Sequence, residues 1–552
     1  MPATRLDPTV TGTSVAGAVV GFLTGRLGCD RIFTVPGEAV LPLLSLAGRS
    51  GIDLVAARHE AGAGFAALAD AWLTGRPGVV VVNRSPGAAN VGIALDATRA
   101  DPTPLLLLVG TARRGQDLGI GYQSADPAAQ LGGVATVVAV PGGDVLPACL
   151  ARVEELLSSP VPGAVVLVVP QDVWNDPAAA AGPPAPTRPV PAAGTAAGTA
   201  AEQVAEALVR AERPVLVAGR LLRRPSGPAD PSALLDRLAR GAGVPVLLAN
   251  KQQDLVDNTL PGYGGDLHQG THPRTHARMG SADLVVLLGD QPGEVHLKGW
   301  YDRQRVLTVH PVPAGVGEHL AADPGSVLTA LAARHWPPVG PDRADWAAGW
   351  TELEHDLATP RPRRLPDGLD FTLVTAALDA ALPADALVCL DAGNFGSWVH
   401  RYVRFRAGQR LLSLADGAMG FAVPAAVAAV RREPDRPVVA IVGDGGLLMT
   451  GNELAALPRT GRGPVVVLAD NAGYGAIRAQ AARSFPGADV AADLGNPDFV
   501  RWAQAFGLPA EAVAEPDEVV PALDRALAAR GGYLLHVRTS RIAAHPNFDL
   551  PG

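Results

Sequence analysis

Gly443-Asp444-Gly445-Gly446 places a hard carboxylate oxygen among three glycines, directly after the apolar run Val438–Val442. An Asp so placed can ligate a divalent cation; Mg²⁺ sites typically use one or two carboxylates together with substrate phosphates. The glycines let backbone approach a ligand closely, and a helix that follows offers unpaired N–H groups to a phosphate. Further on, Asp470-Asn471-Ala472-Gly473-Tyr474-Gly475 follows a second apolar run, Val465–Ala469. Asn471 can add an amide oxygen and Gly473 a carbonyl oxygen to the same ion, because neighbouring parallel strands end side by side. Alone, the Gly-Asp-Gly turn reads as structural; the downstream loop sharpens it. A second constellation is Arg58-His59-Glu60-Ala61-Gly62-Ala63-Gly64-Phe65, in which Glu60 opens a helix. In isolation Glu60 reads as a first-turn glutamate favoured by the helix dipole. The spacing Gly62-x-Gly64-x-x-Ala67 imitates a dinucleotide fingerprint. Glu60 would then put a carboxylate beside the pyrophosphate, and no ribose-binding acid follows.

Taken together these segments resemble the acetolactate synthase and pyruvate decarboxylase superfamily of thiamine-diphosphate enzymes. Gly443-Asp444-Gly445…Asp470-Asn471 is similar to its diphosphate and metal motif, with Asp470 where the usual pattern has a first Asn. Arg58–Phe65 resembles the family motif whose Glu activates thiamine. Ser85-Pro86-Gly87-Ala88-Ala89-Asn90 resembles Gly-Pro-Gly-Ala-Thr-Asn with two substitutions. Asp416–Ala425 resembles the segment under the cofactor, where Met419 matches the apolar wedge between the two rings and Gly417 the carbonyl that accepts the 4′-amino proton. Asp391-Ala392-Gly393-Asn394 matches a diphosphate-contacting loop. The matches run in family order from Pro36 to Tyr474 and Gly475.

The resemblance implies thiamine diphosphate and Mg²⁺ as cofactors. Glu60 is expected to act on the pyrimidine, and Asp444, Asn471 and the Gly473 carbonyl to hold the metal. Pro36, Pro86, Asn90, Gly393, Asn394, Gly417, Met419, Gly443, Gly445, Gly446 and Tyr474 are expected along the cofactor. It also implies a 2-oxo acid substrate. A C2-carbanion/enamine would then be protonated, as in a decarboxylase, or added to a second carbonyl, as in a carboligase. Glu38 and Gln123 fall where relatives carry polar active-site residues. In this family the activating Glu and the metal site come from different subunits, so a homodimer or homotetramer is expected. The paired histidines of the pyruvate decarboxylase type are absent, and Ile477-Arg478-Ala479-Gln480 stands where acetolactate synthases carry a Trp. Asp117–Gln123 and Gly443–Thr450 resemble the guanidino-oxopentanoate decarboxylase type. The flavin segment of true acetolactate synthases has no counterpart at Asp290-Gln291-Pro292-Gly293-Glu294, so FAD is not expected. Two alternatives stay open. One is a 2-hydroxyacyl-CoA lyase or oxalyl-CoA decarboxylase type using Arg220, Arg223 and Arg224; the other is a catalytically silent cofactor-binding scaffold.

These residues need strand ends to present them. Short apolar strands alternate with helical patterns: Arg31–Val35, Asp53–Ala57, the helix Glu60–Thr74, Gly78–Asn83, a Gly/Pro turn, a helix near Ala89–Arg99, Leu105–Gly110 and Val165–Val169. Such alternation predicts α/β architecture with doubly wound parallel sheets. The pattern recurs twice more, which predicts three domains: pyrimidine-binding (1–180), central (201–340) and diphosphate-binding (368–552). Pro/Ala-rich stretches at 181–200 and 341–367 read as linkers, and Arg361–Arg364 as a solvated basic run. His268, His272 and His276 share helical spacing, but Pro273 is expected to interrupt a helix there, leaving loop histidines.

Composition narrows the classes. At 552 residues, about three domains are expected. Hydrophobic residues are 48% and charged residues 18%, ordinary for a globular chain. The net charge of −8 with interspersed signs carries no basic footprint for nucleic acid. Cys29, Cys149 and Cys389 lie far apart without a CxxC pair, as expected in a reducing cytoplasm. No leader-like run opens the sequence, and Val79–Val82 and Leu105–Val109 are too short to span a bilayer, so no membrane association is expected.

Overall fold

The structure is a computed structural model that describes residues 14–116, 121–179, 193–223, 230–290, 303–458, 461–488 and 490–550. Three six-stranded sheets follow one another along the chain. The first comprises β1 (Arg31–Thr34), β2 (Asp53–Ala56), β3 (Gly78–Asn83), β4 (Leu105–Thr111), β5 (Thr136–Ala139) and β6 (Ala164–Pro170). The second comprises β7 (Pro214–Ala218), β8 (Val246–Leu248), β9 (Tyr263–Asp266), β10 (Leu284–Leu288), β11 (Arg305–His310) and β12 (Glu318–Ala321). The third comprises β13 (Leu387–Leu390), β14 (Arg410–Ser413), β15 (Val438–Gly443), β16 (Gly463–Asp470), β17 (Ala510–Val513) and β18 (Gly531–Arg538).

The first and third sheets share one order, β2-β1-β3-β4-β6-β5 and β14-β13-β15-β16-β18-β17; the second runs β12-β11-β10-β7-β8-β9. All strand pairs within the three sheets are parallel. Helices cover both faces, so central strands are apolar throughout: every residue of β4 is buried. The three α/β domains are therefore doubly wound, as expected. The order in which strands are added across the sheet reverses between β1 and β3 and again between β13 and β15. Open α/β sheets bind ligands outside the carboxyl ends of strands at such points. The described residues form two compact units: one joins the N-terminal third to segments 423–433 and 450–458, and the other holds the rest.

Observed elements depart from the expected ones where apolar periodicity is weak. Five edge strands (β5, β9, β12, β14, β17) escaped it. They are short, and β5 and β12 are largely solvent-facing. The first linker is helical from residue 193, within Ala193–Arg210; residues 180–192 lie outside the described ones. The second linker carries the 18-residue helix Pro341–Ala358. Pro341 suits its first turn. Trp346 and Trp350, one turn apart, fasten it to the central domain. The Trp350 ring is fully buried, and Trp346 Nε1 donates to the Pro214 carbonyl at 2.8 Å. Arg361–Arg364 is exposed, as expected of a solvated run, and on that surface Arg361 and Arg363 pair with Asp356 and Asp549. Pro86 and Gly87 sit inside the first turn of the helix Arg84–Ala100, not in a preceding turn. Pro273 does not interrupt a helix; it opens one, Pro273–Met279, that contains His276. The three cysteines are free thiols. Among the described residues no helix is long and apolar enough to cross a membrane.

Candidate active site

In the first unit the candidate residues collect at the carboxyl edge of the first sheet. Glu60 is the first residue of the helix Glu60–Thr74, capped by His59, whose Nδ1 accepts from Ala61 N at 3.1 Å. Asn90 lies on the helix Arg84–Ala100 and donates from Nδ2 to Glu60 Oε2 at 2.9 Å. Pro36 and Glu38 follow β1 and are exposed. Pro86 is also exposed, four residues before Asn90. Glu38 Oε1 accepts from Gln171 Nε2 at 3.1 Å, and Gln171 Oε1 accepts from Arg84 Nη2 at 3.1 Å. Arg84 Nη1 donates to the Tyr122 carbonyl at 3.1 Å. This chain ends at Tyr122, and the amide of the neighbouring Gln123 turns to the Tyr122 hydroxyl at 3.3 Å. Arg84 and Gln171 escaped the sequence reading because neither sits in a motif. Leu118, Gly119 and Ile120 lie outside the described residues.

In the second unit the other candidates line the carboxyl ends of β13, β15 and β16. Asp444 opens the helix Asp444–Thr450 and is buried; its Oδ2 accepts from Gly473 N at 2.9 Å and from Asn496 Nδ2 at 2.8 Å. Asn496 Nδ2 also donates to Asp470 Oδ1 at 2.8 Å. Asp470 Oδ2 pairs with His536 Nε2 at 2.7 Å. Burial raises the Asp444 carboxyl above its usual range, and the Asp470 charge beside it adds to the rise. Burial also opposes ionisation of Asp470, but hydrogen bonds from His536, Ala472 N and Asn496 outweigh it and hold that carboxyl low. Asp470, the departure from the usual Asn, thus has its own histidine partner. Asn496 and His536 escaped the sequence reading because they stand far along the chain in unremarkable contexts.

Tyr474 packs over Gly445, where a Cβ would lie 2.6 Å from its ring and 3.3 Å from Met419 Cε. Gly443 and Gly393 both abut the Phe395 ring. Gly446 faces the buried Asp391, which accepts from Gly420 N at 2.9 Å and so ties the Met419 loop to the end of β13. Asn394 Nδ2 donates to the Ala544 carbonyl at 2.8 Å. Gly417 is exposed with φ +83° and open space beside it, a conformation a side chain would strain. Arg478 Nη2 donates to the carbonyls of Asn471 (3.2 Å) and Ala472 (2.6 Å), and the Gly473 carbonyl accepts from Gly475 N at 2.9 Å. Three of the five described non-glycine residues with left-handed backbone are Arg84, Gln123 and Ala472. Strain of this kind concentrates at functional loops. The donor set fits a hard cation: a desolvated carboxylate with a second one beside it, an amide side chain and loop carbonyls, all oxygen.

Three domain models of one family match the chain: the N-terminal TPP-binding domain of thiamine pyrophosphate enzymes at residues 13–132, the central domain at 201–331 and the C-terminal TPP-binding domain at 391–537. The chain belongs to the thiamine-diphosphate-dependent enzymes of acetolactate synthase-like type. It is an enzyme of that superfamily, whose members make or break C–C bonds. It is 26% identical to the catabolic acetolactate synthase of Raoultella terrigena over 91% of this chain and 90% of that one. It is 28% identical to a probable 2-ketoarginine decarboxylase of Pseudomonas aeruginosa over 95% of this chain and 94% of that one. In fold it matches a thiamine diphosphate-dependent 4-hydroxybenzoylformate decarboxylase from Rhodococcus jostii RHA1, with TM-score 0.78 and 24% identity, covering 96% of this chain and 99% of that one.

Elsewhere in this thiamine-diphosphate enzyme, ligand-capable atoms of Asp266, His268 and His400 lie within 4.8 Å of one another. The two rings stack 4.3 Å apart and 13° from parallel, so their in-plane lone pairs do not converge on one ion. His400 Nδ1 instead pairs with Asp266 Oδ2 at 2.6 Å. Burial lowers both histidines, and we read the cluster as a polar core, not a metal centre. His272 caps the helix Pro273–Met279.

Proposed function

We propose that the protein is a thiamine-diphosphate- and Mg²⁺-dependent 2-oxo acid decarboxylase or carboligase whose active sites form between subunits of a homodimer or homotetramer. One observation carries this reading. Each sheet with a β1/β3-type switch point presents one half of the required chemistry at its carboxyl edge: Glu60 held by Asn90, and Asp444 held by Gly473 N–H. The names of the relatives point to 2-oxo acids as the substrate class.

Bound thiamine diphosphate supplies the carbon nucleophile and the electron sink for loss of CO₂. Glu60 would hold the proton exchanged with the bound pyrimidine. Gly417 would offer its carbonyl to the cofactor's amino group, and Met419 would pack against the cofactor's rings. Asp444, Asn471 and the Gly473 carbonyl would hold Mg²⁺, and Gly393, Asn394 and Gly443–Gly446 would receive the diphosphate. Glu38, Gln171, Arg84 and Gln123 form the polar edge that faces the substrate's own side chain. Exposed apolar side chains, Ile93 and Tyr122 in one unit and Leu448, Met449, Ile477 and Phe485 in the other, suit a surface covered by a second copy. Of the arginines on which the acyl-CoA alternative rests, Arg223 is paired with buried Asp254 at 2.7 Å, and Arg220 donates to the Ser413 carbonyl at 3.1 Å. Arg224 lies outside the described residues.

The test is a panel of 2-oxo acids with Mg²⁺ and thiamine diphosphate, following CO₂ and organic product together. One donor should release CO₂, and Glu60→Gln should lose at least about 100-fold in kcat while keeping the cofactor. Undiminished turnover by Glu60→Gln would refute the assignment. CO₂ release from none of the panel would move the enzyme to another substrate class.

A further inference from the structure

We propose that Glu453 is the positioning residue for Glu60, an inference that rests on the role given to Glu60 above. Glu453 lies in the 3₁₀ segment Gly451–Ala456 and belongs to the same compact unit as Glu60. It is a carboxylate with almost no solvent contact, 3% exposed. Its Oε1 accepts from two consecutive backbone groups, Arg58 N at 3.0 Å and His59 N at 2.9 Å, and Oε2 accepts from Arg58 N at 3.1 Å. Those are the two peptide N–H groups immediately before Glu60.

The grip is reciprocal. The Arg58 guanidinium donates to the Ala455 carbonyl at 2.9 Å and to the Ala56 carbonyl at 2.7 Å, so side chain and backbone of one residue bind both sides of the contact. The helix is cut to admit Glu453: a Cβ at Gly62 would collide with its carboxylate. A glycine in the first turn of a helix costs stability, so close approach accounts for it better than helix formation does. Burial raises the Glu453 carboxyl, and backbone N–H donation from Arg58 and His59 counters that rise.

The consequence follows from geometry. Glu60 is the first residue of its helix and has one described side-chain partner, Asn90. Its carboxylate can meet a pyrimidine nitrogen only if the peptide just before it is fixed, and displacement of a reacting group by about 1 Å costs about 100-fold in rate. Residue 453 therefore sets the position of a group with which it makes no hydrogen bond of its own.

The test uses the full chain as Glu453→Ala and Glu453→Gln. Gln keeps an oxygen acceptor for the two N–H groups; Ala removes it. Without cofactor, amide hydrogen exchange at Arg58 and His59 should quicken about tenfold or more in Glu453→Ala, with Glu453→Gln recovering most of the protection. With cofactor and the donor found in the panel, kcat should fall about 30-fold or more in Glu453→Ala with cofactor retained, and Glu453→Gln should restore most of it. Unchanged exchange at 58–59, or wild-type kcat in Glu453→Ala beside an inactive Glu60→Gln, would overturn the proposal while leaving Glu60 its role. An active Glu60→Gln would instead sink the reading on which it rests. If Glu453→Ala does not fold, Glu453→Asp replaces it: the shorter acid cannot reach both N–H groups, so exchange at 58–59 must still rise, and wild-type protection would overturn the proposal.

Discussion

A buried acid is stable only in the company it keeps, and two such acids stand at the carboxyl edge of the third sheet. Asp444 is desolvated beside Asp470, an arrangement that a divalent cation relieves. Asp444→Ala should lose bound thiamine diphosphate on desalting in Mg²⁺ buffer, read as cofactor per chain; full retention would refute the metal assignment. Asp391 is the second. Burial pushes its carboxyl from 3.8 up to about 6. Its contribution to stability is therefore complete below the unfolded value and is lost as pH rises through about 6. Ionised at neutral pH it costs roughly 3 kcal/mol, at about 1.4 kcal/mol per unit. Asp391→Asn carries no such charge. Its stability relative to the parent should climb between about pH 4 and pH 7 in urea titrations; a flat difference would show that Asp391 is not desolvated.

At the scale of elements, two contacts decide what the chain pattern left ambiguous. The helix Pro341–Ala358 belongs to the central domain because Trp350 is fully buried there. Trp350→Ala should cost about 3–5 kcal/mol in denaturant unfolding; a loss within about 0.5 kcal/mol would restore the linker reading. Segment 423–433 is anchored to the N-terminal sheet through Arg432, which pairs with Asp30 at 2.9 Å and Asp70 at 2.8 Å. The Arg432 hydrogen bond holds the Asp30 carboxyl well below the usual range. That contribution is present above the unfolded value of 3.8 and is lost as pH falls below it. Arg432→Ala should cost about 1–2 kcal/mol at pH 7, modest because Asp30 is half exposed, and less near pH 3.

For the molecule as a whole, the proposed division of one site between two subunits is testable by complementation. Glu60→Gln and Asp444→Ala chains are each expected to be inactive. In a mixed dimer one of the two sites would pair an intact Glu60 with an intact Asp444. Co-refolding equal amounts should then recover about a quarter of wild-type activity, since half the dimers are mixed and half their sites intact. Sites contained within single chains would give no recovery.

Local order along the chain determined a good deal here. The strand runs, the helix Glu60–Thr74 and the glycine-flanked Asp444 were legible because buried strands, first-turn acids and ligand-binding turns leave short, contiguous signals. The family likeness was legible for the same reason. What crossed sequence distance was not. Gln171 joins Glu38 from 133 positions away, Glu453 reaches Arg58 from 395, and His536 completes Asp470 from 66. Edge strands were missed because they are short and several face solvent, and the Trp-anchored helix because its burial comes from neighbours contributed by other elements. The types of the reactive groups follow from the sequence; which group holds another in place was decided only when parallel strands brought their carboxyl ends together.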